Sequence, residues 1–256
     1  MRVVAIANQK GGVGKTTTNI NLSAILAESG KKVLTIDSDP QGNTTSGLGI
    51  EKESLEKTFY DLMIGESDFD DVKIKIEGFE CFDLLPSNND LYGTEVELLG
   101  FDNREYLLKK IIEKVKDRYD YITIDCPPSV NILTLNALTA ANSVIVPLQC
   151  EYYALEGLTQ LMHTIKLVQK RMNKELKIEG VVFTMYDART NLSMQVVEEV
   201  KKYLSGDVYK SIIPRNVKLS EAPSHGLPIN LYDNKSKGAE AYRMLAEEFI
   251  EREGEE

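Results

Sequence analysis

Apolar runs and amphipathic stretches alternate along the chain. Residues 3–7 form a continuous apolar run rich in β-branched side chains, the pattern of a parallel strand buried on both faces. Residues 16–29 then read as a helix with Ile20, Ala24 and Ala27 among its inward positions. Gly30 closes that helix, and residues 32–37 form the next strand. Further strands are predicted at 81–85, 121–125, 143–147, 178–184 and 209–213. Helices fit between them at 103–118, 132–141, 155–172 and 191–204. A last helix runs from Gly238 to roughly Glu251 and leads into an acidic tail. That order predicts an α/β fold: a doubly wound, mostly parallel sheet flanked by helices, with ligands at the carboxyl ends of its strands. No Pro/Ser-rich linker, composition break or repeat of about 20–50 residues divides the chain. Residues 1–256 are therefore expected to form one domain.

Composition adds exclusions more than it adds detail. The chain is 42% hydrophobic and 27% charged, an ordinary globular balance. Cys81, Cys126 and Cys150 lie far apart with no CxxC pair, which argues against a zinc site, an iron–sulfur scaffold or a disulfide framework. The opening MRVVAIA is too short for a secretory signal, and no run is long enough to cross a bilayer, so an intracellular protein is expected. A net charge of -10 argues against nucleic acid as a partner. Its distribution tempers that reading. Residues 163–243 hold 14 Lys and Arg against 9 Asp and Glu, a balance of +5 that leaves -15 for the rest. The C-terminal half either presents a basic face or carries Lys/Glu-rich solvated helices; both give the same count.

The strongest chemical signal is Lys10-Gly11-Gly12-Val13-Gly14-Lys15-Thr16-Thr17, set after a strand and before a helix. Glycines let backbone N–H groups turn inward around phosphate oxygens, and the helix N-terminus adds its positive dipole end. Lys15 is placed to reach the β- and γ-phosphates, and the Thr16 hydroxyl to ligate Mg²⁺. Asp125, ending the apolar strand 121–125, is placed to hold Mg²⁺ through a water, or else simply to cap a helix.

The loop departs from the usual phosphate-loop pattern: Gln9 stands where the first glycine is expected, and a second lysine, Lys10, opens it. This deviant Walker A form resembles that of the ParA/MinD family of ATPases. Ile36-Asp37-Ser38-Asp39-Pro40-Gln41-Gly42-Asn43 resembles the family's switch I, and Asp125-Cys126-Pro127-Pro128 its Walker B and switch II. The segments 151–157, 187–191, 213–216 and 219–224 resemble the chromosomal ParA branch, often called Soj.

The resemblance implies roles for individual residues. Asp39 would orient the attacking water, and Asp37 would stand behind the magnesium as a partner of the groups that hold it. Lys10 would reach across a dimer interface to the partner's nucleotide, as an arginine finger does; the alternative is a phosphate contact within its own subunit. Gly11 would permit close approach of two loops. Pro214 and Asn216 would pack on and hydrogen-bond adenine, and Arg189 and Lys218 match basic DNA contacts. The implied activity is slow, partner-stimulated ATP hydrolysis with ATP and Mg²⁺ as cofactors. The implied partners are an ATP-dependent homodimer, double-stranded DNA bound without sequence preference, and a ParB-type protein. The expected location is cytoplasmic and nucleoid-associated. A MinD-like membrane role is the alternative, but it needs a basic amphipathic C-terminal segment. Here residues 246–256 are acidic, so no membrane is expected. A metal-cluster reductase would need further matched thiolates beside Cys126, and a regulator with its own helix-turn-helix would need an N-terminal extension.

Overall fold

In the computed structural model, which describes residues 1–204 and 206–254, eight strands form one sheet. They are β1 (Arg2–Ile6), β2 (Val33–Asp37), β3 (Ile74–Lys75), β4 (Phe82–Leu85), β5 (Tyr121–Asp125), β6 (Ser143–Gln149), β7 (Lys177–Tyr186) and β8 (Val208–Pro214). Their spatial order is β3-β4-β2-β5-β1-β6-β7-β8, and every pair is parallel except β3 with β4. The seven predicted strands are all present, most shifted or extended by one or two residues. β3 was not foreseen: two residues leave no periodicity to read.

The chain builds one wing of the sheet as far as β5 and then crosses β1 to build the other. The loop after β1 therefore opens into the crevice where the strand order reverses, the position at which open α/β sheets bind ligands. Register sharpens the placement. Asp37 at the end of β2 lies directly beside Asp125 at the end of β5, and Ile6 flanks Asp125 from the other side.

Alternate residues of the strands feed two apolar cores. Val3, Ala5, Leu34, Ile36, Ile122 and Ile124 face the helices Leu107–Val115, Ile132–Ala140, Ala154–Arg171 and Asn191–Tyr203. Val4, Ile6, Val33 and Tyr121 face the helices Lys15–Glu28 and Lys237–Gly254. The first of these two helices is buried along most of its length, because the last helix packs over it. That explains its polar inner row. Asn19 donates to the Thr35 and Thr44 hydroxyls (2.7 and 3.2 Å), and the Ser23 and Thr123 hydroxyls lie 2.7 Å apart. Buried polar groups persist where they find partners, as the Asn19 Nδ2 and these hydroxyls do, whereas Asn19 Oδ1 has none.

The predicted helix at 103–118 is broken. Asn103 takes a left-handed φ of 55°, single 3₁₀ turns flank the segment, and only Leu107–Val115 is α-helical. Short helices also occupy residues 43–72 and 89–100, between β2 and β5, where no helix was predicted. The predicted C-terminal helix spans Lys237–Gly254; Glu255 and Glu256 of the acidic tail, like Ser205, lie outside the described residues.

Candidate functional site

The loop between β1 and the Lys15–Glu28 helix is held from several sides. Asn8 accepts from the Lys10 amide (3.0 Å) and donates to the Pro147 carbonyl (2.8 Å). Thr184 at the end of β7 donates to the Val13 carbonyl (2.7 Å). Gly12 and Gly14 adopt φ of 73° and 87°, a conformation that costs glycine nothing and other residues about 1–2 kcal/mol. A Cβ at Gly11 or Gly12 would meet no atom within 4 Å, so the loop faces open space. Lys15 is buried with its amine 3.1 Å from the Lys10 carbonyl. Burial pushes its pKa down, and the charges of Asp125 and Asp39 work against that shift.

Asp37 and Asp125 are both buried at the floor of the crevice. Burial, and then the charge of Asp125, push the Asp37 carboxyl up to about 7. Asp125 is raised to about 6 by burial, held back by hydrogen bonds from Thr16 and Thr44 and by Lys15. Both hydroxyls donate to Asp125 Oδ2 at 2.8 Å. Asp125 Oδ1 is buried with no hydrogen-bond partner. An orphaned carboxylate oxygen beside a threonine hydroxyl is a hard-oxygen donor set, and Mg²⁺ is held by one or two carboxylates together with phosphate oxygens. The residues present fit that ion.

Asp39 sits above this pair at the wall of a cleft of about 490 Å³, which Gly11, Gly12, Lys15 and Thr16 also line. Its carboxylate accepts from the Gln41 amide (2.9 Å), its amide donates to Asp37 (3.3 Å), and its carbonyl accepts from the Ser87 hydroxyl (2.9 Å). Thr45 completes the scaffold. Its amide and hydroxyl both donate to Asp37 (2.8 and 2.7 Å), and its hydroxyl accepts from the Ser87 amide (2.9 Å).

A second lobe of about 330 Å³ adjoins the first, sharing Gly14, Thr17 and Met185 with it. Pro214 and Asn216 line this lobe. Asn216 also caps the Val217–Glu221 helix, its side-chain oxygen accepting from the Leu219 amide at 3.3 Å. The side-chain oxygen is therefore committed to the helix cap. Met185, where the lobes meet, carries a φ of 48°. Strain of that kind collects at functional sites.

The remaining predicted residues lie apart from the two lobes. Lys10 forms an ion pair with Glu151, just after β6 in its own chain. Arg189 is highly exposed and makes a two-pronged pair with Asp187 (2.8 and 2.6 Å), while Lys218 pairs with Glu221 (2.9 Å). Both follow the carboxyl ends of adjacent strands, β7 and β8. Sequence reasoning passed over Thr44, Thr45, Ser87, Asn8 and Met185. Only the two threonines, adjoining the switch I segment, carried any local cue.

Among the described residues, no helix is long and apolar enough to cross a membrane. A sequence family described as an AAA domain matches residues 1–178. The sporulation initiation inhibitor protein Soj of Bacillus subtilis (strain 168) is 59% identical over 247 residues, covering 96% of this chain and 97% of that protein. The chromosome partitioning protein ParA of Myxococcus xanthus (strain DK1622) is 51% identical over 252 residues, covering 98% and 89%. Among solved structures, cobyrinic acid a,c-diamide synthase from Mycobacterium smegmatis, with bound ADP and magnesium, superposes with a TM-score of 0.88. It is 40% identical, with 99% of this chain and 96% of that chain covered.

Proposed function

The chain belongs to the Soj/ParA family of chromosome-partitioning ATPases, and from that premise we propose that it is a DNA-segregation switch driven by ATP and Mg²⁺. The observation that carries this reading is the convergence of Lys15, Thr16 and the orphaned Asp125 oxygen beneath an open glycine loop. The two higher-identity relatives are named for partitioning or Soj function, and they outweigh the synthase name attached to a 40% identical structure.

Magnesium, when bound, supplies positive charge against the phosphate oxygens. The loop amides and Lys15 would hold the phosphates; Thr16 directly and Asp125 through a water would hold the ion, with Asp37 behind them; Pro214 and Asn216 would hold adenine. Asp39 orients the attacking water, and the Asp37–Thr45–Ser87 scaffold keeps its backbone in place. Lys10 acts across a dimer interface on the partner's nucleotide. To do so it must first leave Glu151, and this supports a slow basal rate: the cation that stabilises developing charge is engaged elsewhere until two copies meet. Gly11 leaves room for that approach.

In this reading the ATP-bound dimer holds DNA through backbone-directed charge that includes Arg189 and Lys218, and hydrolysis, stimulated by a ParB-type protein, releases it. The deciding experiment measures binding of the Asp39→Ala protein to random-sequence duplex DNA with ATP, with ADP and without nucleotide, across a salt series. ATP-only binding that weakens steeply with salt is expected. Absence of binding in every state, with ATP-dependent dimers intact, overturns the DNA role and leaves the ATPase.

A further inference from the structure

Asp39 opens a tight turn, Asp39-Pro40-Gln41-Gly42, which is closed by the Gly42 amide donating to the Asp39 carbonyl at 2.9 Å. Within it the backbone of Gln41 is engaged through both of its polar groups. The N–H donates to the Asp39 carboxylate (2.9 Å), and the carbonyl accepts from the Lys52 amine (2.7 Å). The setting of this one residue therefore governs where the carboxylate points.

Lys52 reaches the turn from outside the cleft. After the Asn43–Gly47 helix the chain bends at Gly49, with φ of 83°, and the Ile50 amide pins its return on the Thr45 carbonyl (3.2 Å). Lys52 then opens a single 3₁₀ turn, Lys52–Ser54, and lays its side chain back over the Asp39 turn. The stem makes contact as well as the amine. A Cβ at Gly42, where φ is 62°, would lie 2.5 Å from Lys52 Cδ and 2.6 Å from the Ser87 carbonyl oxygen. Glycine alone leaves room there for the lysine stem. Glu53 and Asp90 border the same small cleft as Lys52, yet among the described residues neither pairs with its amine, which goes to the carbonyl instead. Holding a long side chain in one geometry costs conformational entropy, and packing of the stem on Gly42 has already removed part of that freedom.

We propose that Lys52 is a positioning residue for hydrolysis: a charged strap that holds the Gln41 carbonyl and, through Gln41, aims the Asp39 carboxylate at the attacking water. The proposal rests on the role given to Asp39 above and adds what aims it. Asp37 and Ser87 hold the first residue of the turn, at the Asp39 amide and carbonyl, and Lys52 holds the third. Lys52 lines neither lobe of the nucleotide cleft, so it acts through Gln41 and not on a bound molecule. Loss of the strap therefore falls on the chemical step and spares nucleotide binding.

The test follows ATP hydrolysis by the full-length chain over a range of ATP concentrations with Mg²⁺, alongside ADP affinity by calorimetry and the urea midpoint. Lys52→Met keeps the stem and removes the donor. It is expected to lower kcat about three- to tenfold, with KM, ADP affinity and urea midpoint unchanged. Lys52→Arg, which keeps a charged donor, is expected to return kcat to within about twofold of the unaltered chain. An unchanged kcat in Lys52→Met overturns the proposal. So does a fall in kcat accompanied by weaker ADP binding or a lower urea midpoint, because Lys52 then serves the fold at large. Asp39→Ala is measured in parallel. Turnover lost in Asp39→Ala but unchanged in Lys52→Met confines the failure to Lys52; normal turnover in Asp39→Ala overturns the reading of Asp39 and the strap with it.

Discussion

The two ends of the sheet both bury charge, and they do so in opposite ways. At the amino-terminal end Arg2 pairs with Glu179, and its guanidinium lies 4.9 Å from the Phe249 ring. Arg252 pairs with Glu248 (2.8 Å), donates to the carbonyls of Glu179 and Val208, and stacks 4.0 Å over Tyr209. Opposite charges are matched there, and most donors find an acceptor. At the carboxyl end two carboxylates lie side by side, one with an oxygen unpartnered, and both are pushed up toward neutrality. The matched end clamps the C-terminal helix to the sheet. The mismatched end stores electrostatic strain that a bound cation would relieve. Buried charge therefore marks function here only where it is left unbalanced.

The comparison can be broken most severely at the matched end. Glu179→Ala leaves Arg2 buried without its partner and is expected to cost about 3–5 kcal/mol in urea unfolding, with nucleotide affinity of the folded molecules unchanged. Lys15→Ala should do the reverse: ATP affinity falls at least about a hundredfold by calorimetry, with stability in the absence of nucleotide preserved or slightly raised.

A smaller effect sharpens the contrast through pH. Because the folded-state pKa values of Asp37 and Asp125 are raised, the folded protein keeps a proton that the unfolded chain has already released. Stability from this pair therefore falls as pH rises from about 4 to about 7. In melts with chelator present, Asp37→Asn should flatten that fall and be more stable than the unaltered chain by about 1–2 kcal/mol above pH 7. Equal pH profiles for the two proteins would remove the repulsion from the account. The smallest change is Thr45→Val, which leaves the Ser87 amide and Asp37 each short of a hydroxyl. It is expected to cost about 1 kcal/mol in stability. Its specific signature is a lowered kcat at unchanged KM for ATP, since Asp39 loses its support while the phosphate loop does not.

Local signals carried much of this arrangement. The glycine loop and Asp125 are contiguous with buried strands whose apolar runs are unambiguous, so both strand and chemistry can be read from a few adjacent residues. Arg189 and Lys218 were found through family likeness, and each has a carboxylate beside it that composition alone does not pair. What stayed hidden depends on register. The neighbouring of Asp37 and Asp125, the Thr44 hydroxyl on Asp125 and the Ser87 hydroxyl on the Asp39 carbonyl arise only when β2, β4 and β5 align. Short turns such as Thr94–Glu97 span too few residues for any period to show, and Asn103 breaks a helix by a backbone choice that hydrophobicity does not encode.

The strand order also sets a timetable. Of the parts of the site, loop residues 10–17 are made before the others: Asp125 is more than 100 residues behind, and the wall of the second lobe at Pro214 and Asn216 follows about 200 residues after the loop. Parallel neighbours joined by such long connections are slow to assemble, because loop closure must be met before contacts reward it. Pro214 reaches its place only through pairing of β8 with β7, where it lies beside Tyr186. A chain still in synthesis thus presents glycines but no complete pocket, and nucleotide capture becomes a checkpoint that is passed only after Asn216 has been made and docked.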